Sequence, residues 1–288
     1  KPTMHYAISF FGELGAEIMY PDPGFPIYKS MINFTGAKGV PYNMIENKDF
    51  SINPEKILPL INEKTRLLIL NNPHNPTGGF TEKKIIDKLA NELKNFPNLV
   101  ILSDEVYDRL IFDKKEIPSL LNYPDLYDRL IVLNGWSKTY AMTGWRLGWG
   151  VWPQKLVENV FKFCVNSHSC VNTPAQYGAI AALDGPEDHL KEMMKEFTER
   201  RKLIVDGLRN LKGVECGLPG GSFFVFPNVK GTGMDGEKFT EKCLKEAGVA
   251  MIPGTAFGEF ATYNVRFNFA TSRENIRKAI EKIDKILK

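Results

Sequence analysis

Short, nearly continuous apolar runs alternate with segments of helical periodicity through the first half of the chain. Residues 65–70, 99–102 and 130–133 form such runs, and residues 85–93 place apolar side chains at helical spacing behind Thr81, which we expect to cap that helix. Apolar runs without alternation fit strands that are buried on both faces, as parallel sheets require. The pattern therefore predicts an α/β fold with a large domain, in which helices flank a mostly parallel, doubly wound sheet.

The last third of the chain has a different character. A long polar helix is expected from residue 186 to about residue 211, and its polarity indicates that it bridges two bodies. We therefore expect a large domain over residues 1–188 and a smaller C-terminal α+β domain over residues 189–288. The strands of the smaller domain are expected at residues 221–226, 249–252 and 265–269.

Bulk composition excludes several function classes. Apolar residues make up 43% of the 288 residues and charged residues 25%, which is typical of a soluble globular protein. The net charge of +3 is scattered along the chain, so we expect neither a nucleic acid nor a membrane as partner. Four dispersed cysteines without a C-x-x-C pair argue against a metal site, and with no signal peptide they favour the cytoplasm.

Polar loops follow three of the predicted strands. These loops are residues 71–78, 103–107 and 134–138, and they are rich in Asn, Asp, Ser, Gly and Pro. In doubly wound sheets, ligands gather outside the carboxyl ends of the strands. We therefore expect the three loops to meet at one edge of the sheet and to form a ligand site there.

The residues in these loops suit a phosphorylated aldehyde cofactor. An amine such as that of Lys138 forms a Schiff base with an aldehyde once its surroundings lower its pKa. Asp104 ends a buried strand and needs a cationic partner, which a protonated pyridine nitrogen would supply. Arg146 and Ser137 are suitable phosphate ligands, the first as a charged fork and the second as a neutral donor.

Four further side chains complete the candidate site. Asn75 and Tyr107 offer hydrogen bonds to a ring oxygen, and Phe25 offers a face on which a ring can stack. Arg266 lies in the middle of an apolar run, where a guanidinium needs an anion. A substrate carboxylate would serve as that anion.

Four blocks of the sequence together resemble a known family. Residues 72–78, 103–107, 137–146 and 265–267 are similar to the signature set of the class I/II pyridoxal-5′-phosphate aminotransferases of fold type I. The blocks occur in the family's order across essentially the whole chain. The resemblance is greatest to the prokaryotic aspartate/aromatic branch.

The resemblance implies roles for the catalytic residues. Lys138 would hold pyridoxal 5′-phosphate as an internal aldimine and then shuttle a proton between the substrate α-carbon and the cofactor. Asp104 would keep the pyridine nitrogen protonated. Asn75 and Tyr107 would bond the phenolic oxygen, and Phe25 would stack on the ring.

Binding roles follow from the same resemblance. Ser137 and Arg146 would bind the cofactor phosphate, and Arg266, with help from Asn75, would bind the substrate α-carboxylate. The family's phosphate-binding turn would lie immediately before Lys1, so an N-terminal segment is expected to be missing from this sequence.

The implied activity is ping-pong transfer of an amino group from an L-amino acid to a 2-oxo acid, by a homodimer. No second basic residue is obviously committed to a side-chain carboxylate, so the amino donor stays open. Two alternatives also stay open: a pyridoxal-phosphate-dependent carbon–sulfur β-lyase on the same scaffold, and a regulator that senses the cofactor. A regulator would carry a DNA-binding module ahead of this part of the chain.

Overall fold

A computed structural model describes residues 1–45, 49–113 and 116–288. Two sheets organise these residues, a six-stranded sheet in the first half of the chain and a three-stranded sheet in the second. Helices cover the six-stranded sheet, whose strands are mostly parallel. The predicted fold class is confirmed.

The six-stranded sheet has the order β2-β1-β3-β4-β5-β6. Its strands are parallel except for β6, which runs antiparallel to β5. The sequence analysis missed β6, because the run Gly-Trp-Gly-Val shows neither a continuous apolar stretch nor β-branched enrichment. The six strands are β1 (Glu17–Asp22), β2 (Lys38–Asn43), β3 (Thr65–Asn71), β4 (Val100–Asp104), β5 (Leu130–Gly135) and β6 (Gly148–Val151).

Ten α-helices connect or flank the strands in the described part of the chain. They are α1 (Pro2–Phe11), α2 (Ile27–Thr35), α3 (Pro54–Ile57), α4 (Lys83–Leu93), α5 (Trp136–Thr139), α6 (Val157–His168), α7 (Thr173–Asp184), α8 (Asp188–Arg209), α9 (Gly236–Lys242) and α10 (Arg273–Leu287). None of these helices is long and apolar enough to cross a lipid bilayer.

Thr81 does not cap α4, contrary to the sequence-based expectation. The Thr81 hydroxyl instead accepts a hydrogen bond from the backbone N–H of Ile52 at 2.9 Å. The Thr81 backbone is also bound on both sides by the Asn72 side chain, at 2.9 and 3.2 Å. These long-range bonds fix the end of β3 against α4 and leave the cap position to Glu82.

Side chains of the parallel strands alternate between two apolar cores. Leu68 of β3 and Ile101 of β4 pack on one face with α3 and α4. Leu67 of β3 and Leu102 of β4 pack on the other face with α1 and α2. Because both faces are covered, the strands carry the continuous apolar runs seen in the sequence.

The three-stranded sheet is antiparallel, with the order β7-β9-β8. Its strands are β7 (Phe224–Val225), β8 (Ile252–Pro253) and β9 (Val265–Asn268). Its apolar face packs against α8 and α10 in a third core. The first two strands are shorter than predicted because flanking backbone groups bond elsewhere: Ser222 N–H to the Leu110 carbonyl, and Val249 N–H to the Cys243 carbonyl.

Candidate active site

Lys138 lies on α5, the single helical turn that follows β5. The Gly135 backbone passes so close to the next strand that a Cβ there would lie 2.8 Å from the Leu147 carbonyl oxygen. The Lys138 Nζ atom lies 5.2 Å from the ring centroid of Phe223 and 5.6 Å from that of Tyr107. Burial, with a further contribution from the charge of Arg266, lowers the pKa of Lys138. The turn thus presents an amine that loses its proton more readily than an exposed lysine does.

Asp104 is the last residue of β4 and is only 4% exposed. One carboxylate oxygen accepts the Tyr28 hydroxyl at 2.7 Å, and the other accepts the backbone N–H of Val106 at 3.2 Å. Burial raises the pKa of Asp104, and these two hydrogen bonds oppose that rise. A buried carboxylate with spare acceptor capacity favours a cationic partner.

Arg266 projects from β9 between two aromatic rings. The centre of its guanidinium lies 4.3 Å from the Phe224 ring centroid and 4.6 Å from the Phe257 ring centroid. Its Nη1 atom donates to the Asn75 Oδ1 atom at 2.9 Å. Burial lowers the pKa of Arg266, which has no carboxylate partner among the described residues. This geometry leaves a half-buried guanidinium available for an anion.

Tyr107 and Phe25 lie beside these charged groups. Tyr107 is buried, and burial raises the pKa of its hydroxyl, which has no hydrogen-bond partner within the described ranges. Phe25 is partly buried and packs edge-on against Tyr28, with ring centroids 6.0 Å apart. The Phe25 side chain therefore reaches the group that holds Asp104.

Ser137 and Arg146 flank the Lys138 turn less tightly. Ser137 precedes Lys138 on α5, and its hydroxyl has no hydrogen-bond partner in the part of the chain that the structure describes. Arg146 is exposed, adopts a left-handed backbone conformation with φ of 58°, and donates to the Thr143 carbonyl at 2.7 Å. The charges of Arg146 and of the Lys1 amino group both act on Lys138. Positive charge thus accumulates at this end of the sheet.

Three residues that the sequence analysis did not single out support the site. Tyr28 is fully buried on α2 and bonds to Asp104. Asn71 accepts the Asn75 N–H at 2.9 Å and donates to the Asp104 carbonyl at 3.0 Å. Tyr28 and Asn71 place polar groups at buried positions, where a polar group requires a hydrogen-bond partner. That requirement is the signal that could have identified them.

Asp108 is the third of these residues. Its carboxylate accepts the Thr139 hydroxyl at 3.2 Å, and hydrogen bonds from Asn134 and Thr139 oppose the rise in its pKa that burial causes. Asn134 and Thr139 stand on either side of Lys138 in the sequence. Asp108 therefore ties the turn that carries Tyr107 to the turn that carries Lys138.

The chain is similar to known proteins along almost its whole length. The family model described as aminotransferase class I and II matches residues 3–283. The chain belongs to this family. It is 36% identical to the aspartate aminotransferase of Pyrococcus abyssi over 283 residues, which cover 98% of this chain and 72% of that protein.

Two further relatives give the same result. The probable aspartate aminotransferase of Methanocaldococcus jannaschii is 40% identical over 278 residues, covering 94% of this aminotransferase and 71% of the relative. The solved structure of an aromatic aminotransferase from Pyrococcus horikoshii OT3 superposes with a TM-score of 0.93 at 36% identity, covering 99% of this chain and 76% of that one. The predicted family is confirmed.

Class I and II aminotransferases use pyridoxal 5′-phosphate, and membership of this family identifies it as the cofactor of this chain. The donor set suits it. Asp104 has acceptor capacity for a protonated ring nitrogen, and the Lys138 amine has no acceptor in the described segments. The Tyr107 and Ser137 hydroxyls are equally free to bond a ring oxygen and a phosphate.

Proposed function

We propose that this aminotransferase moves the amino group of an L-amino acid of the aspartate or aromatic class to a 2-oxo acid, using Lys138, Asp104 and Arg266. The observation that supports these roles most strongly is the proximity of three unlike groups beside the carboxyl ends of β4 and β5, where the charges of Arg266 and Asp104 both act on Lys138. They are a lysine whose pKa burial lowers, a buried carboxylate and a half-buried guanidinium. The names of the relatives, aspartate and aromatic aminotransferases, support the substrate class.

Bound pyridoxal 5′-phosphate supplies an aldehyde that reacts with amines and a ring that accepts electrons from the bond that breaks at the substrate α-carbon. Lys138 acts as the base: its Nζ atom takes the proton that leaves the α-carbon. A lowered pKa increases the fraction of the neutral amine, which is the form that accepts a proton. The aromatic rings beside Nζ exclude water from that proton.

The other side chains bind and orient. Asp104 holds a proton on the ring nitrogen through charge pairing, and Tyr28 keeps its carboxylate oriented. Tyr107 and Asn75 donate to the ring oxygen, and Phe25 stacks on the ring.

Ser137 and Arg146 bind the phosphate. Arg266 binds the substrate α-carboxylate in a bidentate manner, and its hydrogen bond to Asn75 orients the guanidinium.

Two finer statements belong to the same proposal. Residues 1–188 form the large domain, and residues 189–288 form a small domain that closes over the substrate. Backbone bonds from Gly220 and Gly221 to the Gly78 carbonyl support contact between these two parts beside the site. The enzyme works in the cytoplasm.

We also propose that the enzyme is a homodimer. Several large apolar side chains of α6 and α7 are exposed, including Phe161 at 66% and Tyr177 at 71%. Only Val160 is buried on α6. Contiguous exposed apolar surface of this kind is typical of interfaces, and α7 packs against the loop that follows Lys138.

A product assay tests the proposed reaction. With pyridoxal 5′-phosphate, ¹⁵N-labelled aspartate or phenylalanine and an unlabelled 2-oxo acid, we expect ¹⁵N in the new amino acid by mass spectrometry. Omission of the 2-oxo acid should stop turnover after about one equivalent per site. Release of ammonia and pyruvate from cysteine or cystathionine at high turnover, without any 2-oxo acid, would instead show a β-lyase.

A further inference from the structure

Asp22, the last residue of β1, is buried at 1% exposure and lies outside the groups assigned above. Its two carboxylate oxygens accept backbone N–H groups from a segment more than two hundred residues later. Glu259 N–H donates to Oδ2 at 3.0 Å, and Phe260 N–H donates to Oδ1 at 3.2 Å. The carboxylate therefore binds a loop of the second half of the chain directly to the end of a strand of the first.

The surrounding contacts show that this attachment is specific. Gly24 lies two residues after Asp22, and its N–H donates to the Phe257 carbonyl at 2.8 Å. A Cβ at Gly258 would overlap the Asp22 carboxylate, so the close approach requires glycine at that position. The strand end and residues 257–260 are thus fitted to each other along their backbones.

Residues 257–260 include Phe257, one of the two aromatic residues that flank the Arg266 guanidinium. The Phe257 ring lies 4.6 Å from the centre of the Arg266 guanidinium, and Phe224 lies on another side of the same guanidinium. Phe257 is buried and packs edge-on against Phe226. A shift of residues 257–260 would therefore move the surface that fixes the guanidinium.

We propose that Asp22 is a positioning residue, which sets the affinity for the substrate carboxylate by holding residues 257–260, and with them Phe257, against Arg266. The proposal rests on the proposed function, in which Arg266 binds that carboxylate. Two hydrogen bonds from backbone N–H groups to a carboxylate can hold a loop firmly, and among the described residues Asp22 is the acceptor for both donors. Asp22 is not among the groups assigned to the cofactor or the substrate, so we expect its effect on substrate binding and not on the proton transfer at Lys138.

The test compares Asp22→Ala and Asp22→Asn with Glu259→Gln in the cofactor-loaded protein. Glu259→Gln is the matched control, because it removes an exposed ion pair with Lys29 at 2.8 Å and keeps the Glu259 backbone N–H that Asp22 binds. Two carboxylates without an amino group, succinate and 3-phenylpropionate, serve as probes. Their Kd is measured by calorimetry, and backbone hydrogen exchange of residues 257–261 is measured by mass spectrometry.

We expect Asp22→Ala to raise the Kd of the tighter probe about tenfold. Exchange at residues 257–261 should become faster, while the Kd of pyridoxal 5′-phosphate stays unchanged. Asp22→Asn keeps one acceptor oxygen, so its effect should be smaller and in the same direction. Glu259→Gln should bind the probe within about twofold of the wild type, since exposed ion pairs contribute little.

Two results would overturn the proposal. The first is hydrogen exchange at residues 257–261 of Asp22→Ala that is as slow as in the wild type. The second is exchange there that is faster than in the wild type while the Kd of the probe is unchanged. Steady-state kinetics give a further check, since KM for the amino donor should rise while kcat changes by less than about twofold. A failure of the proposed function would appear elsewhere, as a wild type that transfers no amino group. That result does not depend on the Kd ratio between variant and wild type.

Discussion

Tyr28 makes a contact that controls the charge of Asp104. Burial alone raises the pKa of the Asp104 carboxyl, which favours its neutral form. The Tyr28 hydroxyl donates to the carboxylate at 2.7 Å and stabilises the ionised form. In the proposed role of Asp104, the ionised form pairs with a protonated ring nitrogen, so we expect Tyr28 on α2 to affect how tightly the cofactor is bound.

Tyr28→Phe should therefore weaken the binding of pyridoxal 5′-phosphate. Loss of a hydrogen bond to a charged group costs about 1.5–3 kcal/mol, which corresponds to an increase in Kd of roughly tenfold or more. The sign of the pH effect also follows: without the donor the Asp104 pKa rises further, so the carboxyl is neutral up to a higher pH. The acidic limb of cofactor binding should move to higher pH, as measured by absorbance titration.

Tyr42→Phe is the control for this prediction. Tyr42 is also buried, and its hydroxyl donates to the Ile69 carbonyl at 2.8 Å instead of to Asp104. This variant should lose stability by a similar amount in thermal unfolding and bind the cofactor like the wild type. Equal cofactor affinity for Tyr28→Phe and the wild type at every pH would show that the contact has no role in binding.

Helices α6 and α7 combine few buried residues with several exposed large apolar side chains. Val160 is the single buried residue of α6, and α7 buries only Ala175 and Ala179. Large apolar side chains such as Phe161 and Tyr177 point to solvent. Burial of each such side chain contributes about 1.5–3 kcal/mol, which a partner subunit would provide.

The homodimer proposal predicts that Phe161→Asp combined with Tyr177→Asp produces a monomer. Charged side chains at an apolar interface lose hydration without gaining a partner, so association should weaken strongly. Light scattering during size-exclusion chromatography gives the mass of each form. Leu244→Asp, at another exposed apolar position that lies in the proposed small domain, should remain dimeric. A monomeric wild type, or a dimeric double variant, would contradict the proposal.

Strands β3, β4 and β5 were predictable because both faces of each strand are buried, which leaves a continuous apolar run such as residues 65–70 in the sequence. Strand β6 was not predicted, since glycines make up half of it, whereas β7 was predicted over residues 221–226 and is shorter because flanking backbone groups bond elsewhere. Lys138, Asp104 and Arg266 were identified from chemistry and resemblance. Tyr28 and Asp22 escaped because their partners are distant in sequence, and only the folded chain brings them together.

For the molecule as a whole, the site depends on contacts between its two sheets. Asn75 follows β3, Lys138 follows β5, and Arg266 belongs to β9, yet Asn75 and Arg266 are hydrogen-bonded at 2.9 Å. The ring of Phe223, beside β7, lies near the Lys138 amine. In the proposed mechanism, the base comes from one sheet and the carboxylate-binding arginine from the other, so we expect amino transfer to require both parts of the fold.

The most direct test of this account is the rate of ¹⁵N transfer from amino acid to 2-oxo acid by Lys138→Ala, with pyridoxal 5′-phosphate present. We expect a decrease of about 10²- to 10⁴-fold relative to the wild type, since a positioned general base contributes that much. Exogenous alkylamine should restore part of the rate, because a free amine can take the place of the missing Nζ atom. A variant that transfers ¹⁵N at the wild-type rate would contradict the central claim that Lys138 is the base.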